Sequence, residues 1–135
     1  MAKELLVTDA LSDKMIQAGA KLVERLDEDA SNIKSALWLY FPDARNWKLI
    51  LASEIVETDG PRKLYEKIQG ANRNAAESED VISLNDISVT TPKHQLISML
   101  AMMIGTGQGI SGIRFTRNNI NGIYIDDAYI YRSIH

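Results

Sequence analysis

Residues 35–52 read SALWLYFPDARNWKLILA, which is two apolar runs joined by a short polar turn. Residues 112–126 read GIRFTRNNINGIYID and repeat the same arrangement. Each stretch follows a helix-like segment, so a unit of one helix and one hairpin occurs twice in the chain. Short apolar runs bounded by turn residues are typical of β-strands paired in hairpins. The repeat therefore predicts an antiparallel α+β domain.

The rest of the chain supplies three predicted helices and one further strand. Apolar residues recur at helical spacing between residues 11 and 26. Pro61 and Pro92 mark two further helix starts, because proline is favoured at the first helical position. Residues 81–90 are strand-like. The predicted order is α-β-β-α-β-α-β-β, in a single domain over residues 1–135. We expect a mostly antiparallel sheet of about five strands with helices on one face.

Composition excludes several classes of site. The chain has 135 residues, a net charge of -3, two histidines and no cysteine. Disulfides, thiol nucleophiles and cysteine-ligated metals are therefore ruled out. The weakly acidic balance argues against a general nucleic-acid or anionic-membrane surface. No apolar run approaches the roughly 18 residues of a membrane span. We expect a cytoplasmic protein with no cofactor, no metal site and no membrane or nucleic-acid partner.

The first hairpin is apolar on both of its faces. Alternation along the strand places Leu39 on one face and Trp38 and Tyr40 on the other. With helices on one face only, an aromatic patch would stay exposed, and such patches mark interaction sites. We predict that Trp38, Tyr40 and Trp47 anchor a homodimer or a complex with another protein, because large aromatics dominate interface energetics.

The turn of this hairpin also suggests an alternative chemistry. Pro42-Asp43 resembles the first half of the nuclease pattern Pro-Asp, spacer, Asp/Glu-x-Lys. That chemistry needs two carboxylates on Mg²⁺ and a lysine near the attacking water. Asn46 stands in the second carboxylate position before Lys48, so the ordinary turn interpretation is favoured. The alternative is a metal-dependent nuclease or phosphodiesterase that uses Asp43, Glu54 and Lys48.

A glycine-rich stretch, GTGQGISG at residues 105–112, is the remaining candidate. A phosphate-binding glycine loop follows a strand and precedes a helix. This stretch follows a predicted helix and precedes a strand, so we interpret it as a helix stop and a flexible connection. The alternative is a mobile loop over a pocket, in a protein that binds a small ligand of unknown identity.

Three stretches carry a resemblance: RNWKLILAS (45–53), GPRKLYEKI (60–68) and NGIYIDDAYIYR (121–132). They resemble small uncharacterised bacterial proteins of the kind carried on mobile elements as integron gene cassettes. The resemblance implies a bacterial, accessory, cytoplasmic protein and transfers no catalytic motif. The lack of a complete catalytic motif, together with the aromatic hairpin, favours a non-enzymatic accessory protein that acts through protein–protein interaction or homodimerisation.

Overall fold

The computed structural model describes residues 2–134. Within that range, four α-helices and seven β-strands follow one another. None of these helices has the length and apolar character needed to cross a membrane. In chain order the elements are β1 (Lys3–Glu4), α1 (Asp13–Glu28), β2 (Ile33–Phe41), β3 (Asn46–Ser53), α2 (Glu54–Asp59), α3 (Pro61–Arg73), β4 (Asp80–Val81), β5 (Ile87–Thr90), α4 (Gln95–Met103), β6 (Ile113–Ile120) and β7 (Ile123–Ser133).

Five strands form one sheet in the order β5-β3-β2-β7-β6. Neighbouring strands are antiparallel except β3 and β5, which run parallel. A parallel pair needs a crossover connection, and α2 and α3 supply it here. The two predicted hairpins are confirmed as β2–β3 and β6–β7. The predicted α+β class and the mostly antiparallel five-stranded sheet are also confirmed.

Local sequence sets several element ends. Ser12 is the N-cap of α1. Its side chain accepts a hydrogen bond from the backbone N–H of Met15 at 3.2 Å. Pro61 is the first residue of α3, as predicted. Asn121 and Gly122 have φ of +47° and +89° in the β6–β7 turn. Asn-Gly is favoured in two-residue hairpin turns because both positions need positive φ.

One face of the sheet, which we call the α1 face, is covered by α1 and α3. Leu22 of α1 and Leu64 of α3 are fully buried in the same cluster as Trp38 and Leu49 of the sheet. Burial of this kind stabilises by about 1.5–3 kcal/mol for each large apolar side chain. This face therefore holds the main core of the protein.

The opposite face, which we call the α4 face, carries Leu37, Ile125 and Ile130 and is covered by α4. The prediction that the helices lie on one face is therefore wrong for α4. This helix begins at Gln95 rather than at Pro92, which lies in a turn. Strand β2 is apolar on both faces, so burying both requires a layer on each side of the sheet. The helix best suited to the second layer is α4, because it has no charged residue.

Candidate functional site

The indole of Trp38 lies inside the α1 face and is fully buried. Its Nε1 donates to the Tyr131 hydroxyl at 3.0 Å and lies 3.2 Å from the Met15 carbonyl oxygen. The Tyr131 hydroxyl donates to the Ile16 carbonyl at 2.6 Å. Burial raises the pKa of Tyr131, so the hydroxyl keeps its proton. The prediction that Trp38 anchors an interface is wrong, because α1 covers the face that was expected to be bare.

Trp47 and Tyr40 hold the segment before α1 against the first hairpin. Trp47 is 2% exposed, and its Nε1 donates to the Asp9 carbonyl at 2.9 Å. The Tyr40 hydroxyl donates to the Asp9 carboxylate at 2.7 Å, and this bond raises the pKa of Tyr40. The two ring centroids are 5.2 Å apart. Trp47 is therefore also core rather than an interface anchor, and Tyr40 is half-buried with its hydroxyl engaged.

The structure does not bring the three nuclease-type residues together. Asp43 is exposed in the β2–β3 turn, and Glu54 is exposed at the start of α2. The eight residues of β3 separate them, which corresponds to roughly 25 Å of extended chain. Lys48 lies between them and is paired with Leu39. In residues 2–134, no group of three or more His, Asp or Glu side chains is placed to hold a metal ion.

The glycine-rich stretch at residues 105–112 connects α4 to β6, as predicted. Thr106 N–H donates to the Ser133 carbonyl at 2.8 Å, and Ser111 N–H donates to the Tyr131 carbonyl at 2.6 Å. Arg132 Nε donates to the Gly109 carbonyl at 3.2 Å. These bonds hold the stretch along β7, so the connection is held in place rather than flexible as expected.

The guanidinium of Arg132 ties β7 to the end of α1. Arg132 is 2% exposed, and its two terminal nitrogens each donate to an Asp27 carboxylate oxygen at 2.8 Å. Its Nη1 also lies 3.2 Å from the Ile33 carbonyl oxygen. With the bond to Gly109, every nitrogen of this buried cation has a partner, as burial of a charge requires.

The outer side of α4 exposes two adjacent large apolar side chains. Met102 is 74% exposed and Met103 is 57% exposed, whereas Ile97 and Leu100 on the inner side are 2% exposed. A helix that is apolar all round is normally buried on all sides. Within residues 2–134, nothing covers the outer side of this one.

An apolar groove runs between α4 and the sheet on the α4 face. Its volume is about 380 Å³, which falls in the range of small-molecule and side-chain pockets. Ser88, Thr90 and His94 add polar groups, and no residue of the 105–112 stretch borders it. Its apolar side chains come from β2, β3 and α4: Leu39, Phe41, Ile50, Leu96 and Ile97. Val89 of β5 borders the groove, but its side chain packs in the α1-face cluster beside Leu51.

The sequence of α4 is apolar nearly all round, which is typical of a core helix. The helix has only nine residues and packs one side against the sheet, leaving the other side bare. The exposed side could have been recognised from the sequence by one signal. The helix has no charged residue, and it is too short for the remaining elements to cover all of its sides. The exposed side chains and the groove beside them form the candidate site.

No protein-family model, curated protein or solved structure matches the chain. The function is therefore inferred from the geometry of the α4 face.

Proposed function

We propose that this protein is a non-enzymatic interaction module that binds a protein chain through the outer side of α4. The observation that carries the proposal is the exposure of Met102 and Met103 on a helix without charged residues. Leaving such side chains in water forfeits the free energy that burying them would provide. Contiguous exposed apolar surface of this kind marks interaction sites.

The chemistry of the surface suits protein recognition. Methionine is unbranched and polarizable, so it packs against irregular surfaces and is common at adaptable binding sites. Phe41, which is 38% exposed, lines the neighbouring groove and adds an aromatic ring. Aromatic and apolar anchors that fill pockets carry most of the binding energy at interfaces.

The sequence also favours protein–protein interaction, but through the aromatic hairpin. The proposal assigns this role to the outer side of α4 instead. Trp38 and Trp47 are covered by the chain itself, whereas Met102, Met103 and Phe41 are open to a partner. An interface of ordinary size buries about 800 Å² per partner. The outer side of α4 would form the centre of such a patch, with the groove at its edge.

Sedimentation velocity of fluorescently labelled protein tests the proposal, in buffer and in extract of the producing cells. The test variant carries both Met102→Lys and Met103→Lys. The control is Leu6→Lys, because Leu6 is 78% exposed and follows β1 rather than lying on α4. We expect wild type and the control to sediment as a complex in at least one medium, and the double variant to sediment more slowly.

Sedimentation of the wild type as a single 15.1 kDa chain in both media would contradict the proposal. So would equal loss of the complex in the Leu6→Lys control, since a general effect of added charge would then explain the result. A circular dichroism melt of each variant establishes that it is folded before its sedimentation is interpreted.

The groove itself favours a second candidate function, the binding of a small apolar ligand. It combines five apolar side chains with the polar groups of Ser88, Thr90 and His94. Apolar pockets with a few polar groups are typical ligand sites. Titration with an apolar fluorescent dye tests this: Ser88→Phe, in register with Ile50 on the α4 face, should block the dye, and Met102→Lys should not. Equal dye binding by a folded Ser88→Phe protein would exclude the groove.

A further inference from the structure

We propose that the groove between α1 and α3 binds a small zwitterion that carries the carboxylate and ammonium groups of an amino acid. The groove has a volume of about 510 Å³, which is ample for a molecule of this size. Because α1 and α3 cover the face of the sheet opposite to α4, the site is separate from the surface in the proposed function. Two observations carry the proposal: a guanidinium without its hydrogen-bond partners, and an excess of carboxylates around it.

The guanidinium belongs to Arg25 of α1, which lines the groove and has a side chain only 14% exposed. Its Nε and Nη2 are buried and have no hydrogen-bond partner in residues 2–134. Its Nη1 lies 3.5 Å from a carboxylate oxygen of Glu79, whereas an ordinary N–H···O bond measures about 2.7–3.2 Å. A cation shielded from water without acceptors is costly. Arg25 therefore indicates an acceptor that the chain itself does not supply.

The unpartnered edge of Arg25 is suited to a pair of oxygens. In Arg114 the same two nitrogens, Nε and Nη2, each donate to one oxygen of the Asp127 carboxylate at 2.6 Å. Arg132 is also buried, and each of its nitrogens has a partner. Guanidinium and carboxylate groups match in this two-bond arrangement. The group that completes Arg25 is therefore a carboxylate.

The surroundings of Arg25 require the ligand to carry a positive charge as well. Acidic side chains outnumber basic ones by four to two along the groove, so a simple anion would be repelled. Glu28, the last residue of α1, forms no hydrogen bond or ion pair among the described residues. The end of a helix also carries a partial negative charge that favours a cation. The charged side chains that line the groove are Lys21, Glu24, Arg25, Glu28, Asp29 and Glu79.

The geometry allows one small ligand to contact both unpaired groups. Arg25 and Glu28 are three residues apart on α1, a spacing that separates Cβ atoms by about 5–6 Å. The ligand carboxylate would bind the Arg25 edge, and its ammonium group would face Glu28. Glu79 lies in the connection between α3 and β4, so Arg25 can leave it without movement of a helix or strand. Gly70 keeps the groove open, since the nearest atom to an added Cβ would be 4.0 Å away.

NMR titration of isotopically labelled protein with glycine tests the proposal. Acetate and methylammonium are the matched probes, because each carries one of the two charges of glycine. Glycine should move the Nε–H signal of Arg25, which is identified by its loss in Arg25→Lys, and the backbone amide signals of Gly70 and Glu28. Each single-charge probe should need about tenfold or higher concentration for the same response, since it lacks one of the two contacts.

A variant that fills the groove provides the second test. Gly70→Leu should abolish the glycine response, because the leucine side chain would occupy the ligand's space. The matched control is Gly107→Leu, which lies outside the groove and has open space around an added Cβ, so its response should equal that of the wild type.

Arg25→Lys should raise the glycine dissociation constant, read from the backbone amides, by about tenfold or more. Lysine keeps the charge but lacks the two-nitrogen edge. A circular dichroism melt establishes that each variant is folded, and Gly70→Leu decides the question if Arg25→Lys is not.

Four results would overturn the proposal. The first is the absence of any shift in these signals at all soluble concentrations of glycine. An equal response to acetate would indicate an anion site, and an equal response to methylammonium would indicate a cation site. Undiminished glycine binding by a folded Gly70→Leu protein would place the binding elsewhere. None of these results bears on the outer side of α4, so the proposed function stands or fails separately.

Discussion

The two faces of the sheet both carry apolar side chains, but different numbers of helices cover them. The α1 face is covered by two helices, and its largest side chain, Trp38, is completely buried. The α4 face is covered by one nine-residue helix whose own outer side stays in water. Both faces carry the alternation expected of a buried strand surface. The number of covering helices, rather than the strand sequence, therefore separates the fully covered face from the face whose covering helix keeps apolar side chains exposed.

The buried polar contacts follow the same division. On the α1 face, the Trp38 indole and the Tyr131 hydroxyl bond to each other and to carbonyls of α1. These bonds fix α1 at one height along the sheet, since buried donors without partners are costly. No hydrogen bond of comparable burial is found between α4 and the sheet in the described residues. The α4 helix is positioned by apolar packing alone and is the more easily adapted of the two layers.

The largest difference between the faces is expected from truncating one aromatic ring on each side of β2. Trp38→Ala should lower the free energy of unfolding by about 3–5 kcal/mol, because it leaves a cavity under α1. Phe41→Ala, at a ring already 38% exposed on the α4 face, should cost about 1 kcal/mol or less. Urea denaturation measures both. Equal losses would mean that the two faces contribute equally to stability.

A smaller effect is expected at the ion pair that fastens α1 to β7. Asp27→Ala removes the carboxylate that binds Arg132, which is 2% exposed. The loss should be about 2–3 kcal/mol, below the value for a fully buried pair because the Asp27 side chain is 40% exposed. Glu24→Ala, which breaks the exposed pair with Lys21, should cost about 0.5 kcal/mol or less. If Asp27→Ala and Glu24→Ala lower the free energy of unfolding in urea by similar amounts, Arg132 does not fasten α1 to β7 in this way.

Two glycine-to-alanine substitutions compare a tightly packed helix position with an open one. A Cβ on Gly19 of α1 would overlap the Tyr131 hydroxyl and lie 2.9 Å from Trp38 Nε1. Gly19→Ala should therefore destabilise by about 1–2 kcal/mol despite the better helix propensity of alanine. Gly70→Ala in α3, where the nearest atom would be 4.0 Å away, should stabilise by about 0.5–1 kcal/mol. Melting temperatures that shift in the same direction would contradict this account.

The smallest effect on stability is expected on the outer side of α4. Met102→Lys should change the free energy of unfolding by about 0.5 kcal/mol or less in dilute solution, because this side chain is 74% exposed. Leu100→Lys, on the inner side of the same helix, should unfold the α4 layer. Chemical denaturation at low protein concentration separates this stability effect from the loss of binding. A large loss for Met102→Lys would place that side chain in the core.

The sequence predicts much of the fold, because the decisive signals are local. Alternating apolar runs and the Asn121-Gly122 turn identify both hairpins, and the pairing registers confirm them. Strand alternation also predicts that Trp38 and Tyr40 share a face, which their common cluster confirms. The resemblance to integron cassette proteins and the role that it implies stay predictions.

The contacts between distant segments could not be predicted in the same way. Periodicity shows which side chains share a face, but it does not show which helix lies on that face. The β2–β7 pairing and the parallel β3–β5 pairing join residues far apart in the chain, with no local sequence mark. The interface was wrongly predicted at Trp38 and Trp47 for this reason. The hairpin pattern was correct, but it did not show that a helix covers these side chains.

The position of β7 has a consequence for synthesis on the ribosome. It lies between β2 and β6 in the sheet, although β2 ends at Phe41 and β7 begins at Ile123, about 80 residues later. At roughly 5–20 residues per second, the first hairpin waits about 4–16 s for its neighbour. During that interval β2 presents an unpaired edge, which is a template for association with other chains. The yield of folded protein should therefore depend on translation speed between the two hairpins and on chaperones that shield the nascent edge.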